Sequence, residues 1–362
     1  MSPTETLTKP THDTSHAGRA AVHRFRRGRA LLVVGSLAVL LAVSILFSLT
    51  VGSTSAGMLD LLLPSRASDE SAAILLGVRL PRILLAAAVG ACLSAAGVCF
   101  QALLRNPLAD PYILGISGGA GLGAILATAL APAAGLAVTV ARPAIAFSGS
   151  VAAVLLLLAM ARRRGRLLPE TMILMGVVMN ATIMAAIMFI ITMADFSRYA
   201  GTMYWLIGNL SSPSPGELAL VYACLVPGVA VLTLIGQGLN VMTGGEEMAS
   251  QLGVNVPRLR WVGLVAASLV TAAAVSLAGL IGFVGLMVPH LGRLWLGPDN
   301  RLLVPASALL GALVLVLADT AARALFAPTQ IPVGVITALF GGPCFLWLFA
   351  RGGERSRSGA SS

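Results

Sequence analysis

The sequence predicts an all-helical integral membrane protein. Of its 362 residues, 57% are hydrophobic and only 10% charged, against about 25% charged in soluble domains. Apolar stretches of about 20 residues recur along the chain, the length a helix needs to cross a bilayer. Arginines gather in the short segments between them, as cytoplasmic loops do.

Residues 1–29 are polar and end in HRFRRGR. They read as a basic cytoplasmic tail, with 1–18 disordered. The apolar run 30–51 exceeds the roughly 7–15 residues of a cleavable signal's core, so it reads as a first crossing that leaves the cytoplasm. Further spans fall at 83–104, 112–131, 143–161, 171–193, 218–239, 261–283, 302–322 and 330–350. Arg105 follows the second span, Arg162, Arg163, Arg164 and Arg166 the fourth, and Arg258 and Arg260 the sixth. With the N-terminus inside, all of these are cytoplasmic.

Nine crossings would leave Arg301, Arg351, Arg355 and Arg357 outside. One more crossing within GLIGFVGLMVPHLGRLWLGPDN repairs this, because Pro289 interrupts a run too long for one helix. The stretch from Trp261 to Asp299 reaches about 58 Å as helix, nearly enough for two crossings if the second is short. The expectation is therefore ten segments, with a short broken one near 289–298 and a cytoplasmic tail at 352–362. Shifting the chain by 182 positions lays Ser94, Ala96 and Gly97 on Ser276, Ala278 and Gly279, Leu104 on Leu286, Pro107 on Pro289, and Gly115 on Gly297. A half holding five spans repeats with inverted topology.

The stretch RNPLADPYILGISGGAGLGA (105–124) places helix breakers between two apolar spans. Irregular backbone at that depth is either a packing corner or the lining of a pathway. Ser117, Gly118, Gly119, Gly121 and Gly123 suit close helix approach. GISGG and GAGLGA match hydrolase and dinucleotide patterns in letters only, since no strand–turn–helix context surrounds them. His290 is the only histidine beyond position 23, which excludes a His-rich metal site. Beside Pro289 it reads as a cap for freed backbone groups. Cys92, Cys99, Cys224 and Cys344 lie in apolar spans without metal-ligand spacing and read as packing residues.

The net charge of +10 arises from 23 arginines and one lysine, most of them in loops, and calls for no nucleic acid. That one lysine, Lys9, precedes Pro10, so no phosphate-binding P-loop exists here. ATP-driven transport would need another chain. The segment GGEEMASQLGVNVPRLR (244–260) is a polar interlude in which Glu246 and Glu247 suit the first turn of a short helix and Gly253 its end. It is either a docking helix or a solvated connector. On the outer side lie Arg66, Arg79, Arg82, Arg142, Arg198 and Arg323. Arg323 follows Asp319 by four positions, so it either forms an ion pair along its helix or offers charge to an acidic partner. A transporter driven by protons or sodium would need ionisable groups at mid-membrane; the spans hold almost none, and Asp319 sits near a span end.

The motifs RLPR (79–82), GVCFQALLRNPLADPYILGISGGAGLGA (97–124), YWLIGNL (204–210), GEEMASQLGV (245–254), GLIGFVGLMVPHLGRLWLG (279–297), LADTAARAL (317–325) and IPVGVITALFGGPCFLWLFAR (331–351) occur in this order. In these the chain, from about residue 30 to 351, resembles the FecCD/BtuC-type permeases, the membrane subunits of type II ATP-binding-cassette importers for iron-siderophores, haem and vitamin B12. The resemblance implies a BtuC-like subunit of ten helices in the cytoplasmic membrane, both termini cytoplasmic. It implies pairing with a second permease subunit, two ATPases below that hold ATP and magnesium, and an extracytoplasmic substrate-binding protein above. The subunit itself is no enzyme and binds no cofactor. A ferric siderophore is the expected cargo. Glu246, Glu247, Ala249, Leu252 and Gly253 match the helix that couples to the ATPase. Arg79, Arg82 and Arg323 match positions that meet acids of the binding protein. Asn106, Pro107, Asn180, Pro289 and His290 match the helix breaks and the pathway-lining helix.

Overall fold

The computed structural model describes residues 27–51, 73–161, 168–194, 196–325, 327 and 329–358. Among the described residues the chain forms helices and connecting turns. In order these are α1 (Arg27–Thr50), α2 (Leu80–Leu103, entered through a π-helical turn at Ala73–Arg79), α3 (Ile116–Leu130), α4 (Val138–Ala161) and α5 (Pro169–Met193). Then come α6 (Phe196–Leu206), α7 (Pro215–Leu234), α8 (Gly236–Thr243), α9 (Glu246–Gln251), α10 (Val256–Ala278), α11 (Val284–Leu296), α12 (Asn300–Ala324) and α13 (Val333–Ser358). Seven of these helical segments are long and apolar enough to span a bilayer, α3 and the first part of α13 are shorter apolar helices, and α11 is the short helix of the predicted tenth segment.

Helix α2 is the axle of the bundle. Nearly all of it is buried, against α12, α10, α11 and α7. Its small residues make this possible, because lipid offers no hydrophobic drive and close backbone approach must supply the attraction. A Cβ on Gly90 would run into the carbonyl of Gly311 in α12, and one on Gly97 into the carbonyl of Gly285 in α11. Helices α3 and α4 meet in the same way through Gly119 and Gly149. Around this centre α1, α5 and α7 keep broad apolar faces exposed, such as Leu174, Phe189 and Met193 on α5.

Local chemistry sets the helix ends. A capping box of Ser214 and Glu217 starts α7, Asn255 caps α10 by accepting from the Arg258 N–H, and Asp299 caps α12. The predicted span at 218–239 is divided by Ile235 into α7 and α8. Helix α6 was not expected; at 11 residues it is too short to register as a span.

The second break lies elsewhere than expected. Helix α10 ends at Ala278, and the chain turns through Gly279 (φ 70°) and Phe283 (φ 67°). Pro289 sits inside α11. Its missing N–H frees one carbonyl near the start of a short helix, which the helix tolerates. The repeat register changes accordingly. The element order long, short, long, long recurs in α2–α5 and α10–α13, but Leu80 to Val256 is 176 positions and Leu103 to Ala278 is 175. The 182-position offset therefore pairs Pro107, in a turn, with Pro289, in a helix. The expected tail at 352–362 is helical through Ser358. Residues 1–26, Arg66, the Arg162–Arg166 cluster, residues 359–362 and the side chains of Arg351, Arg355 and Arg357 lie outside what is described.

Candidate functional site

Two charged clusters, each drawing residues far apart in sequence, stand out from the apolar bundle. The first is built on α9. Gly245 (φ 120°) leads into it, and Glu246 and Glu247 fill its first turn as expected. It closes in a Schellman turn: Val254 N–H donates to the Ala249 carbonyl (3.0 Å) and Gly253 N–H to Ser250 (3.0 Å). Gly253 takes the left-handed position at φ 82°, where an L side chain would be strained. The predicted residues divide by face. Ala249 is fully buried, while Glu247, Met248, Leu252 and Gly253 are exposed. Glu246 turns inward, and its Oε1 accepts from Arg260 Nη2 at 2.5 Å and lies 3.8 Å from Arg105 Nη2.

The second cluster surrounds Asp319 of α12, whose side chain is 1% exposed. Arg82 donates from Nε to Asp319 Oδ1 at 3.0 Å and from Nη1 to Gln330 at 2.9 Å. Arg323 donates to Asp319 Oδ2 at 2.9 Å, to Ser48 Oγ at 2.9 Å and to the Val51 carbonyl at 3.2 Å. Arg79 donates to the Leu49 carbonyl at 2.7 Å. All three arginines expected to face a binding protein are buried in this chain, with their guanidiniums turned to Asp319, Gln330, Ser48 and backbone carbonyls. The pairing of Asp319 with Arg323 four positions on is present, and Arg82 joins it. The cluster ties α1, α2 and α12 together at one end.

Two of the residues expected at the helix breaks, Asn106 and Asn180, act as local repairs. Asn106 Oδ1 accepts the Leu108 N–H at 2.9 Å, fixing the turn that Pro107 enters. Asn180 on α5 donates to the Tyr112 carbonyl at 2.7 Å, in the irregular stretch before α3. His290 lies edge-on to Phe345, with ring centroids 6.3 Å apart. Sequence reasoning missed Gln101, which donates to the Leu286 carbonyl at 3.1 Å and accepts from Arg293 at 2.9 Å. It also missed Trp205, whose Nε1 donates to Leu277 at the end of α10 (3.3 Å). A polar residue within an apolar run was the available signal for both.

Fold and clusters together define a multi-pass membrane transport subunit with a short helix at one end of its bundle. Residues 40–351 match the FecCD transport family, and the chain belongs to that family. It is 44% identical over 280 residues to the "Cobalamin import system permease protein BtuC" of Halobacterium salinarum, covering 77% of this chain and 74% of that protein. It is 38% identical over 337 residues to the "Hemin transport system permease protein HmuU" of Yersinia pestis, covering 91% and 98%. Among solved structures it superposes with a metal-chelate type ABC transporter in an inward-facing conformation, at a TM-score of 0.77 and 28% identity over 89% of this chain and 99% of that one. The chain is thus a permease subunit of an ABC importer, a class that works with a second permease, an ATPase and a substrate-binding protein.

Proposed function

We propose that this permease moves a ferric siderophore across the cytoplasmic membrane, with both its termini in the cytoplasm. A second permease subunit completes the pathway, an extracytoplasmic binding protein delivers the cargo, and ATP with magnesium is held by the partner ATPases. The observation that carries the reading is α9: a short helix closed by a Schellman turn that keeps Glu247, Met248 and Leu252 exposed in a chain without a P-loop lysine. An exposed Met and Leu flanked by charge suit a groove on a partner. Nucleotide-driven closure of the ATPases shifts α9 and biases the permease pair between inward- and outward-open states.

The cluster around Asp319 carries three guanidiniums about one described carboxylate. Its net positive charge supports docking of an acidic binding protein above it by electrostatic steering. The cargo reading rests on the relatives' names, since haem and cobalamin are both metal chelates, as ferric siderophores are. Cobalamin is the second reading, favoured by the 44% identity to a cobalamin permease.

The test is uptake of radio-iron, supplied as a ferric hydroxamate, by an iron-limited deletion strain with and without this gene, alongside labelled cobalamin. Restored iron uptake supports the proposal. Restored cobalamin uptake alone transfers it to the second reading, and restoration of neither counts against both.

A further inference from the structure

Arg105 occupies a backbone position that α9 gives to glycine. Helix α2 closes in a Schellman turn, with Asn106 N–H donating to the Gln101 carbonyl (3.1 Å) and Arg105 N–H to Ala102 (3.3 Å). The left-handed position of that turn is Arg105, at φ 48°. Helix α9 places Gly253 at the equivalent point, and Phe283 is the only other described non-glycine residue with positive φ. An L side chain in this region is strained where glycine is not. Such an outlier points to a use for the side chain.

The use is visible across the gap to α9. The Arg105 guanidinium lies 3.8 Å from Glu246 Oε1, the oxygen that also takes Arg260 of α10. Arg260 is nearly buried, with a side chain 6% exposed, so it fixes the carboxylate from beneath, while Arg105 reaches it from the more open side at 44% exposure. One carboxylate thus joins α9, the start of α10 and the turn that leads into α3. By sequence, α9 and that turn are 141 residues apart (Arg105 to Glu246), so this side-chain bridge is a far more direct route between them than the backbone. Glu247, Met248 and Leu252 are exposed and leave Glu246 free of any need to touch a partner.

We propose that Glu246 is a positioning residue that carries the movement of α9 through Arg105 to the α2–α3 turn, and is not itself an ATPase contact. The proposal rests on the reading of α9 as the ATPase-docking helix. It gives a reason for arginine at a position where glycine would be relaxed.

The test uses the assembled permease and ATPase in lipid vesicles with the cytoplasmic face outward. Single cysteines are introduced as Leu108→Cys, exposed in the turn, or Gln251→Cys, exposed on α9. The rate of labelling by a membrane-impermeant maleimide is read with and without ATP and vanadate; the native cysteines lie in the apolar helices, buried or half-buried. In the parent, nucleotide changes the rate at both positions. Glu246→Gln keeps the response at Gln251→Cys and loses it at Leu108→Cys. Arg105→Gly does the same and also raises thermal stability, because glycine relaxes the turn, so misfolding cannot explain its loss. Combining Glu246→Gln with Arg105→Gly is no worse than either alone.

The proposal is overturned if Glu246→Gln silences both positions, which would make it part of docking. It is also overturned if Glu246→Gln or Arg105→Gly leaves the Leu108→Cys response intact. A parent response at Gln251→Cys with none at Leu108→Cys overturns transmission alone. No parent response at Gln251→Cys removes the docking reading of α9, and the proposal with it.

Discussion

Replacing Asp319 should be among the most damaging single changes in this chain. Its carboxylate holds Arg82 at 2.9 and 3.0 Å and Arg323 at 2.9 Å, with side-chain exposures of 1% for Asp319, 10% for Arg82 and 6% for Arg323. Asp319→Leu leaves both guanidiniums with neutral acceptors only, Gln330 for one and Ser48 and the Val51 carbonyl for the other. Removing one partner of a buried pair costs about 3–5 kcal/mol, because the charge left behind stays desolvated. Replacing all members with apolar groups of similar volume is commonly neutral or better. Asp319→Leu should therefore lower stability by about 3–5 kcal/mol, whereas Arg82→Met, Asp319→Leu and Arg323→Met together should lie within about 2 kcal/mol of the parent. The assay is equilibrium unfolding of the purified protein by SDS in mixed micelles, followed by far-ultraviolet circular dichroism. A stable single variant would show that water reaches the cluster and that its burial has no energetic meaning. A triple variant as weak as the single one would show that packing, not charge, holds α1, α2 and α12 together.

Four further outcomes are expected. Gly311→Ala places a Cβ against the Gly90 carbonyl and the Ser94 Oγ and Cβ; the hydroxyl can turn aside but the carbonyl and Cβ cannot, and the change should cost about 1–3 kcal/mol in the same unfolding assay. Met248→Asp with Leu252→Asp, both on exposed positions, should leave folding unchanged and abolish co-purification with the partner ATPase. Arg79→Gln removes a charge without touching Asp319 and should slow association with the binding protein, with a weaker salt dependence in stopped-flow measurements. Burial alone would raise the Asp299 carboxyl, but hydrogen bonds from Arg301 and Asn240 outweigh it and hold the group below its usual value. The stability this gives is present above about pH 4, the unfolded value, and is lost as pH falls through the folded one; Asp299→Asn should flatten that acid-side loss in unfolding midpoints measured from pH 2 to 5.

Hydropathy and charge made the spans legible because each is a local property of 20 or so consecutive residues. The breaks were harder. Pro289 marks a break by local rules, yet a short helix can absorb one lost hydrogen bond near its start, while Gly279 and Phe283 carry the reversal through backbone angles. The repeat register failed for the same reason, since shared small residues aligned letters and not elements. At the candidate sites, residue types and helix ends around α9 were readable from capping chemistry alone. The inward turn of Glu246 was not, because Arg105 and Arg260, its two partners, lie 141 and 14 positions away. The burial of Arg79, Arg82 and Arg323 was likewise hidden, since Asp319 meets Arg82 across 237 positions.

Read together, the polar groups divide by task. Inside the bundle they bond to backbone: Asn180 donates to Tyr112 and Trp205 to Leu277, carbonyls at an irregular stretch and a helix end, and Gln101 donates to Leu286 in the first turn of α11. A carbonyl left unpaired at that depth costs several kcal/mol, so the bonds to Tyr112 and Leu277 help the chain tolerate the irregular stretch before α3 and the turn between α10 and α11. The charges are kept at the bundle's ends, where Glu246 and Asp319 each gather more than one arginine around a single carboxylate. A bundle closed by glycine contacts and mended at its breaks moves as packed units rather than by bending. On the proposed reading of α9 as the ATPase-docking helix, its movement reaches the neighbouring units through such a charged node, Glu246.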